Sequence, residues 1–433
     1  MGSLYASASW IFRKTGIDCD TSLSGRQHPR LVLYGPDVMA KYAIIVPDGA
    51  ADEPIDLFDG QTALQAAHTP NMDRISSQGR QGLVRTVPPG MEAGSDVAQM
   101  SLLGYDPRRF YSGRAPIEAV AQNIKLGLED WVFRCNLVTI ADGNMADHSA
   151  GHISSEEASK LIHELNGLVG SEHIRFHTGV SYRHLLVFKG YDFDVKTYPP
   201  HDNIGTAVEK ILPRGKNSEI LVDLMARSQQ LFESHDVNKV RADLGENQVS
   251  SIWLWGQGRK AQMERFQKRY GLRGATITAV DLVRGISKLI GFDLIEVPGA
   301  TGFIDTNYAG KGQAAVEALN TYDIVFVHVE APDEASHNCQ PELKRKAIEE
   351  VDRHIVGPVL DTLQSYDQWR VLVMPDHPTP VSTGSHSDQP VPFALAGTGV
   401  AGVVQNSFSE AHAAESGFQI ENGFELMEYF LKS

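Results

Sequence analysis

The sequence predicts an α/β protein built on a mostly parallel β-sheet that helices cover on both faces. Three short, continuously apolar runs at 42–46, 324–329 and 371–374 are typical of buried parallel strands. Helical stretches at 64–78 and 343–363 alternate with these runs, as in such sheets. An aspartate follows each run within a few residues, so we expect acidic side chains at the carboxyl edge of the sheet, where such folds bind ligands.

The middle of the chain departs from this pattern and predicts an inserted domain. Strand-like pieces such as 131–140 are followed there by a long polar helical stretch. We expect a smaller α+β lid domain at 130–267, inserted into a core formed by 39–129 and 268–433. Residues 1–38 show no steady periodicity, and we expect a poorly defined N-terminal extension there.

Charge and cysteine content exclude several classes of protein. The chain carries 54 acidic and 39 basic residues, a formal charge of −15, which argues against the basic face of a nucleic-acid binder. No apolar run reaches the roughly 20 residues that span a bilayer. Its three cysteines are far apart, which favours neither a disulfide framework nor a thiolate zinc site. We therefore expect a cytoplasmic protein without nucleic-acid or membrane partners.

Three short motifs carry side chains suited to metal or phosphate chemistry. Asp333 and His337 are four residues apart, a spacing that places both on one face of a helical turn. Asp376 and His377 follow a predicted buried strand, and Ser95 precedes a helical run, where backbone N–H groups favour a phosphate. Each motif alone has an ordinary structural explanation, such as a helix cap. Their combination along one chain is more informative.

Taken in order, these motifs resemble the metal-binding positions of the alkaline phosphatase superfamily. The matching residues are Asp48 in Pro-Asp-Gly, Ser95 in Gly-Ser-Asp, Asp333 and His337 in Ala-Pro-Asp-Glu-Ala-Ser-His, Asp376 and His377 in Pro-Asp-His, and His386. The runs at 103–107 and 113–119, Leu-Gly-Tyr-Asp-Pro and Gly-Arg-Ala-Pro-Ile-Glu-Ala, are similar to those of the archaeal-type cofactor-independent phosphoglycerate mutases and their bacterial relatives. This resemblance extends over essentially everything after Met39.

The resemblance implies an alkaline-phosphatase-like core with two divalent metal ions. One ion would be held by Asp333, His337 and His386. The other would be held by Asp48, Ser95, Asp376 and His377. Carboxylate and imidazole ligands suit Mn²⁺, our first expectation, with Zn²⁺ or Mg²⁺ as alternatives.

The same resemblance implies a role for Ser95 and a reaction. Ser95 would be the nucleophile and would become phosphoserine for a time, so 3-phosphoglycerate and 2-phosphoglycerate would interconvert without bisphosphoglycerate. The partner would be a small phosphorylated hydroxy acid, and a homo-oligomer is compatible with the sequence.

Residues that bind an anionic substrate are expected mainly in and around the inserted domain, which would exclude water from the intermediate. Arginine suits this role, because its planar guanidinium group can form two parallel hydrogen bonds with a carboxylate or a phosphate. The candidates are Arg114, Arg134, Asp147, His148, Arg183, His184 and Arg284, with His152 and Lys311 considered beside them. A purely structural role is an equal alternative for each.

Some positions depart from the archaeal pattern and keep other functions open. His148 and His152 stand where many archaeal members carry arginines, Glu330 where they often carry lysine, and Gly384 where an arginine is expected. These features resemble the bacterial branch, some of whose members have been proposed to be homoserine kinases. The alternatives are therefore a homoserine kinase-like phosphotransferase, a metal-dependent phosphomonoesterase and a non-catalytic phosphate binder.

Overall fold

The computed structural model describes residues 40–403 and 406–432. These residues belong to one compact unit that begins at Met39. The N-terminal extension expected at 1–38 lies outside the described residues. Within the described ranges, no helix is both long and apolar enough to cross a membrane.

The described strands form one large and two smaller sheets. In chain order they are β1 (Lys41–Pro47), β2 (Arg80–Val84), β3 (Trp131–Ala141), β4 (Asn144–Asp147), β5 (Ile174–His177), β6 (Arg183–Phe188), β7 (Asp194–Lys196), β8 (Arg214–Lys216), β9 (Ser251–Arg259), β10 (Gly274–Ile277), β11 (Asp293–Leu294), β12 (Ile324–Val329), β13 (Trp369–Val373), β14 (Val391–Gly397) and β15 (Gln419–Ile420).

The helices are distributed along the whole described chain. They are α1 (Ala63–Ala66), α2 (Pro70–Gln78), α3 (Ser95–Leu102), α4 (Pro107–Phe110), α5 (Arg114–Ala121), α6 (Ser155–Val169), α7 (Val208–Ile211), α8 (Ser218–Glu233), α9 (Asp236–Asp243), α10 (Phe266–Tyr270), α11 (Asp281–Ile290), α12 (Tyr308–Leu319), α13 (Ala331–His337), α14 (Pro341–Val351), α15 (Gly357–Leu363), α16 (Glu410–Glu415) and α17 (Leu426–Lys432). A π-helical turn, Asp352–Val356, joins α14 to α15.

The large sheet confirms the predicted fold class. Its eight strands have the order β11-β10-β12-β1-β13-β14-β2-β15. The strands from β11 to β13 are parallel, β14 is antiparallel to both of its neighbours, and β15 is parallel to β2. The sheet is therefore mostly parallel, and its central strands are the three that the apolar runs predicted.

Side chains of β1 show that both faces of this sheet are covered. Ala43 and Ile45 pack into one buried cluster with residues of α12, α14 and α15. Ile44 and Val46 pack into another with residues of α3, α11 and α17. Because successive strand residues point to opposite faces, a continuously apolar run is what a doubly covered strand requires.

A second, antiparallel sheet occupies the middle of the sequence. It contains β4, β3, β6 and β5 in that order, and β9 also pairs with β3. Its buried residues form their own cluster with α6 and α8. The strands of this sheet all lie within the range expected for the inserted domain. The division into core and lid stays a prediction.

Predicted helices differ from the observed ones where a local signal interrupts them. The helix expected at 64–78 is two helices, α1 and α2, because the chain is extended at Ala67 and restarts at Pro70 in the first turn of α2. The polar helical stretch in the middle of the chain is likewise two helices, α8 and α9, the second beginning where His235 caps the N–H of Val237.

Candidate metal centre and substrate cavity

Three adjacent strands bring the acidic motifs together. β1 lies between β12 and β13 in the sheet, with parallel pairing on both sides. Asp48 follows β1, Asp333 lies in α13 directly after β12, and Asp376 follows β13. Parallel strands end at the same edge, so residues far apart in sequence become neighbours there.

The outer cluster consists of Asp333, His337 and His386. His337 Nε2 lies 2.9 Å from Asp333 Oδ2 and 3.0 Å from His386 Nε2, and His386 Nε2 lies 3.6 Å from Asp333 Oδ1. The Nδ1 of His337 is 2.8 Å from the carbonyl oxygen of Gly384. That carbonyl can only accept, so Nδ1 carries a proton and Nε2 of a neutral ring presents its lone pair to the cluster.

The inner cluster consists of Asp48, Ser95, Asp376 and His377. His377 Nε2 lies 3.2 Å from Ser95 Oγ, 3.4 Å from Asp376 Oδ2 and 3.6 Å from Asp48 Oδ1. The two aspartates and the histidine have no solvent exposure. Asp376 is oriented by Gln99, whose side-chain amide donates to Oδ2 at 2.9 Å, and by the N–H of Gly49.

The geometry of both clusters fits divalent ions. Ligand atoms around a tetrahedral ion with bonds of about 2.1 Å are roughly 3.4 Å apart, close to the separations in each cluster. Asp48 Oδ1 is buried and has no hydrogen-bond partner within residues 40–403 and 406–432. Such a carboxylate oxygen is costly without a cation, so the residues present fit a metal site.

The pKa values of the clustered groups reflect this concentration of carboxylates. Burial, and then the neighbouring carboxylates of Asp376 and Glu330, raise the pKa of Asp48 well above its usual range. Although burial opposes it, hydrogen bonds with His337 and His386 hold the pKa of Asp333 well below its usual range. The hydrogen bond with Asp333 in turn raises the pKa of His337 to about 9. The protein thus holds several acids together with few compensating cations of its own.

Ser95 is the first residue of α3, as the sequence predicted for a phosphate-accepting serine. The preceding Gly94 is extended, and a Cβ there would lie 2.9 Å from Asp96 Oδ1. A side chain at position 94 would therefore crowd the Asp96 carboxylate. That carboxylate accepts a hydrogen bond from the hydroxyl of Tyr111 on Oδ2 at 2.6 Å and one from the N–H of Val97 on Oδ1.

Sequence reasoning missed a third group of ligand-type residues beside the inner cluster. His328 Nε2 lies 2.6 Å from Asp48 Oδ2 and 3.6 Å from Glu330 Oε2. The other ring nitrogen of His328 is 3.0 Å from the hydroxyl of Thr278. Burial lowers the pKa of His328 to about 3. A histidine inside an otherwise apolar strand was the signal that could have identified it.

A cavity of about 450 Å³ links this edge of the large sheet to the second sheet. Arg114, Arg183 and His184 line it, together with Glu330 and Glu334, which lie close in sequence to the candidate ligand Asp333. His184 accepts the N–H of Gly179 on Nδ1, so its Nε2 carries a proton that has no partner among the described residues. The lining therefore combines two arginines and a histidine that has an unused N–H donor with four acidic residues, Glu118, Asp281, Glu330 and Glu334.

Arg134 and His148 lie near this cavity without lining it. Arg134 pairs with Glu118 at 3.1 Å and stacks 4.2 Å from the ring centre of Trp255. His148 lies 6.1 Å from His201, centre to centre, and His201 lies 5.2 Å from Trp255. Sequence reasoning missed His201 and Trp255, which only the folding of β9 and the 201–203 turn brings to Arg134.

The remaining substrate candidates are engaged elsewhere. Asp147 accepts hydrogen bonds from Ser149, Gly151 and Asn247, which lower its pKa to about 2 although burial opposes them. Arg284 pairs with Glu296 at 3.0 Å and lines a cavity of about 350 Å³ that adjoins the first one at Gln122, Ala279 and Asp281. His152 packs near Tyr182, with 6.3 Å between the ring centres. Lys311 is fully buried and donates to the carbonyl oxygen of His328.

The fold and the clusters define an α/β protein with a candidate two-metal site at the carboxyl edge of a mostly parallel sheet. Comparison with known proteins identifies the family within this fold class. The family model for 2,3-bisphosphoglycerate-independent phosphoglycerate mutase matches residues 76–238. A protein of that name from Methanothrix thermoacetophila is 49% identical over 392 residues, covering 90% of this chain and 99% of the relative.

Solved structures agree with the sequence comparison. A protein from Pyrococcus horikoshii superposes with a TM-score of 0.77 at 29% identity, over 91% of this chain and 97% of the other. The cofactor-independent phosphoglycerate mutase from Thermoplasma acidophilum gives a TM-score of 0.65 at 26% identity, over 91% and 99%. The chain belongs to the 2,3-bisphosphoglycerate-independent phosphoglycerate mutase family, which confirms the resemblance found in the motifs.

Proposed function

We propose that this protein interconverts 3-phosphoglycerate and 2-phosphoglycerate through a phosphoserine at Ser95, without bisphosphoglycerate. The observation that carries the proposal is the position of Ser95 Oγ, 3.2 Å from His377 Nε2 and at the start of α3. A hydroxyl placed among buried metal-type ligands at a helix N-terminus suits a nucleophile in phosphoryl transfer. Family membership supports the same reaction.

Two divalent ions would complete the site, and we propose Mn²⁺ before Zn²⁺ or Mg²⁺. Asp333, His337 and His386 would hold one, and Asp48, Ser95, Asp376 and His377 the other. When bound, such ions favour the ionised serine and neutralise charge on the phosphoryl group. Mixed carboxylate and imidazole ligands suit Mn²⁺ and Zn²⁺ better than Ca²⁺.

The proposed reaction has two balanced displacements. In the first, Ser95 Oγ gives up its proton and forms a bond to phosphorus, the bond from phosphorus to the substrate oxygen breaks, and that oxygen takes up a proton and becomes a hydroxyl of glycerate. In the second, the other hydroxyl of glycerate gives up its proton and forms a bond to phosphorus, the bond from phosphorus to Oγ breaks, and Oγ takes up a proton. Glycerate must stay bound between the two steps, since its escape would leave the phosphoserine open to water.

We propose that the wall formed by Arg114 and Arg183, with His184 beside them, holds the glycerate. These residues line the cavity that also reaches Glu330 and Glu334. Arginine forks match carboxylates, and the unpartnered Nε2–H of His184 could donate to a substrate oxygen. Residues 130–267 would then act as the lid, because Arg183 and His184 belong to the second sheet. A cytoplasmic location is part of the proposal.

One set of assays distinguishes this function from its rivals. Metal-free protein supplemented with Mn²⁺ is tested in parallel for 3-phosphoglycerate isomerisation, homoserine phosphorylation by a nucleotide, and release of inorganic phosphate. We expect isomerisation to dominate, to disappear with a chelator and to return with Mn²⁺. Dominant homoserine phosphorylation or phosphate release would overturn the mutase assignment.

A further inference from the structure

Thr379 lies between the two clusters and contacts one ligand of each. Its side chain is fully buried. Its hydroxyl donates to Asp333 Oδ1 at 2.6 Å in the outer cluster, and lies 3.1 Å from Nδ1 of His377 in the inner cluster. We propose that Thr379 is a positioning residue that fixes the tautomer of His377 and the orientation of Asp333 together. The proposal rests on the two-metal site of the proposed function.

The direction of these hydrogen bonds follows from counting protons. A threonine hydroxyl has one proton, and a carboxylate can only accept, so the proton points to Asp333. The hydroxyl must then accept in its contact with His377, which requires a proton on Nδ1. Nε2 of the neutral ring is therefore unprotonated and faces Ser95, Asp376 and Asp48.

The outer cluster shows what is unusual about this arrangement. His337 has its tautomer fixed by the backbone carbonyl of Gly384, an acceptor under all conditions. The tautomer of His377 depends instead on the hydroxyl of Thr379. That hydroxyl accepts from His377 only because it donates its single proton to Asp333. One hydroxyl therefore couples a ligand of the inner cluster to a ligand of the outer cluster, and its loss should weaken both metal sites.

Backbone contacts hold Thr379 in place independently of its hydroxyl. Its N–H donates to the carbonyl oxygen of Ala51 at 3.2 Å. Its own carbonyl accepts from Lys344 Nζ at 2.9 Å, and the same ammonium group pairs with Asp52 at 2.7 Å. A side chain at Gly49 would come within 2.8 Å of the threonine Oγ1, so the surroundings are closely packed. Replacing threonine by valine should therefore remove the hydroxyl and leave the shape.

The test compares Thr379→Val with Thr379→Ser, which keeps the hydroxyl. Mn²⁺ binding to metal-free protein is measured by calorimetry, and bound metal by elemental analysis. We expect Thr379→Val to bind both ions about 10- to 100-fold more weakly, and Thr379→Ser to stay within about threefold of the wild type. Thr383→Val is the matched control, because that exposed threonine makes only weak bonds within its own turn. It should bind as the wild type does.

A second readout does not depend on metal. In metal-free protein with ¹⁵N-labelled histidine, we expect the ring of His377 to carry its proton on Nδ1, and Thr379→Val to lose that preference. Thr379→Ala serves if the valine variant does not fold. If the wild-type protein fails to bind two ions, the proposed two-metal function is refuted. The tautomer of His377 would still test whether Thr379 positions that ring. Wild-type metal affinity in Thr379→Val, or an unchanged His377 tautomer, would overturn the positioning role.

Discussion

The metal-type clusters and the wall of the substrate cavity are built in opposite ways. Asp48, Asp333 and Asp376 follow three adjacent strands of one sheet, and each is almost fully buried. The cavity wall combines Arg114 from α5 with Arg183 from β6 of another sheet, and Arg183 is exposed. The first region is fixed by the core of the protein. The second depends on how α5 packs against the second sheet, where Ala115 and Ala119 contact Val132 and Leu185.

This difference teaches where chemistry and specificity reside. Ligands on a rigid sheet edge keep one geometry, which suits phosphoryl transfer to a fixed nucleophile. If residues 130–267 act as a lid, as we propose, the wall formed by α5 and the second sheet would move with it and release the product. Mutations in the clusters should therefore lower turnover strongly, whereas mutations in the wall should change how tightly and for how long the substrate is held.

The largest effect is expected from removing the nucleophile. Ser95→Ala should lower turnover on the order of 10⁴-fold or more, because covalent transfer is lost while the fold and the outer cluster remain. Ser101→Ala is the matched control, since that serine lies buried in the same helix and its hydroxyl has no partner among the described residues. Steady-state isomerisation kinetics measure both. Equal losses in the two variants would mean that damage to α3, and not loss of a nucleophile, is responsible.

A smaller loss is expected from removing one ligand of the outer cluster. His386→Ala should cost one of two bound ions, because the inner cluster keeps all of its ligands. We expect turnover to fall roughly 10²-fold. Metal analysis after dialysis gives the count, with His412→Ala as a control at a histidine outside both clusters. An unchanged metal content in His386→Ala would remove His386 from the site.

The cavity wall should respond differently from the clusters. Arg183→Ala should raise the KM for 3-phosphoglycerate about 10- to 100-fold, the loss of a charged hydrogen bond, and should increase phosphate release relative to isomerisation. Arg175→Ala removes a comparable exposed arginine from the neighbouring strand β5 and should change neither quantity. If both variants behave as the wild type, Arg183 is only a surface residue.

The smallest effect concerns pH and the metal-free protein. The pKa of His337 is raised to about 9 by Asp333, compared with about 6.5 in an unfolded chain. The pair therefore stabilises the fold fully below about pH 6.5, and this contribution is lost as pH rises through about 9. Thermal unfolding between these pH values should show a steeper decline for the wild type than for His337→Gln. Parallel declines would mean that the ion pair adds nothing to stability.

The same contrast explains how much the sequence could predict. The strands before Asp48, Asp333 and Asp376 were predictable because a buried parallel strand is a local apolar run with an abrupt end. The structure places the residues of each expected ligand set close together, and their role as metal ligands stays a prediction. His328 was not predicted as a site residue because it lies within a strand. Thr379 was not predicted because a threonine two residues after His377 matches no recognisable motif. Their roles appear only when the three strand ends are adjacent.

The cavity wall was less predictable for a physical reason. Arg114 and Arg183 were candidates by residue type, but so was Arg284, which the fold pairs with Glu296 in another cavity. Contacts between elements far apart in sequence decide which arginine lies near the sheet edge that carries the two clusters. His201 gave no signal at all, since its neighbour Trp255 is brought to it by β9. Residue type alone could not separate these cases.

The most direct test of the account is to look for the covalent intermediate. Metal-loaded enzyme is mixed with 3-phosphoglycerate, quenched in acid during turnover, digested and analysed by mass spectrometry. We predict phosphate on the peptide that contains Ser95, formed and lost at rates that match isomerisation, and none in Ser95→Ala. Isomerisation at the normal rate with no phosphate on Ser95 at any quench time would contradict the mechanism.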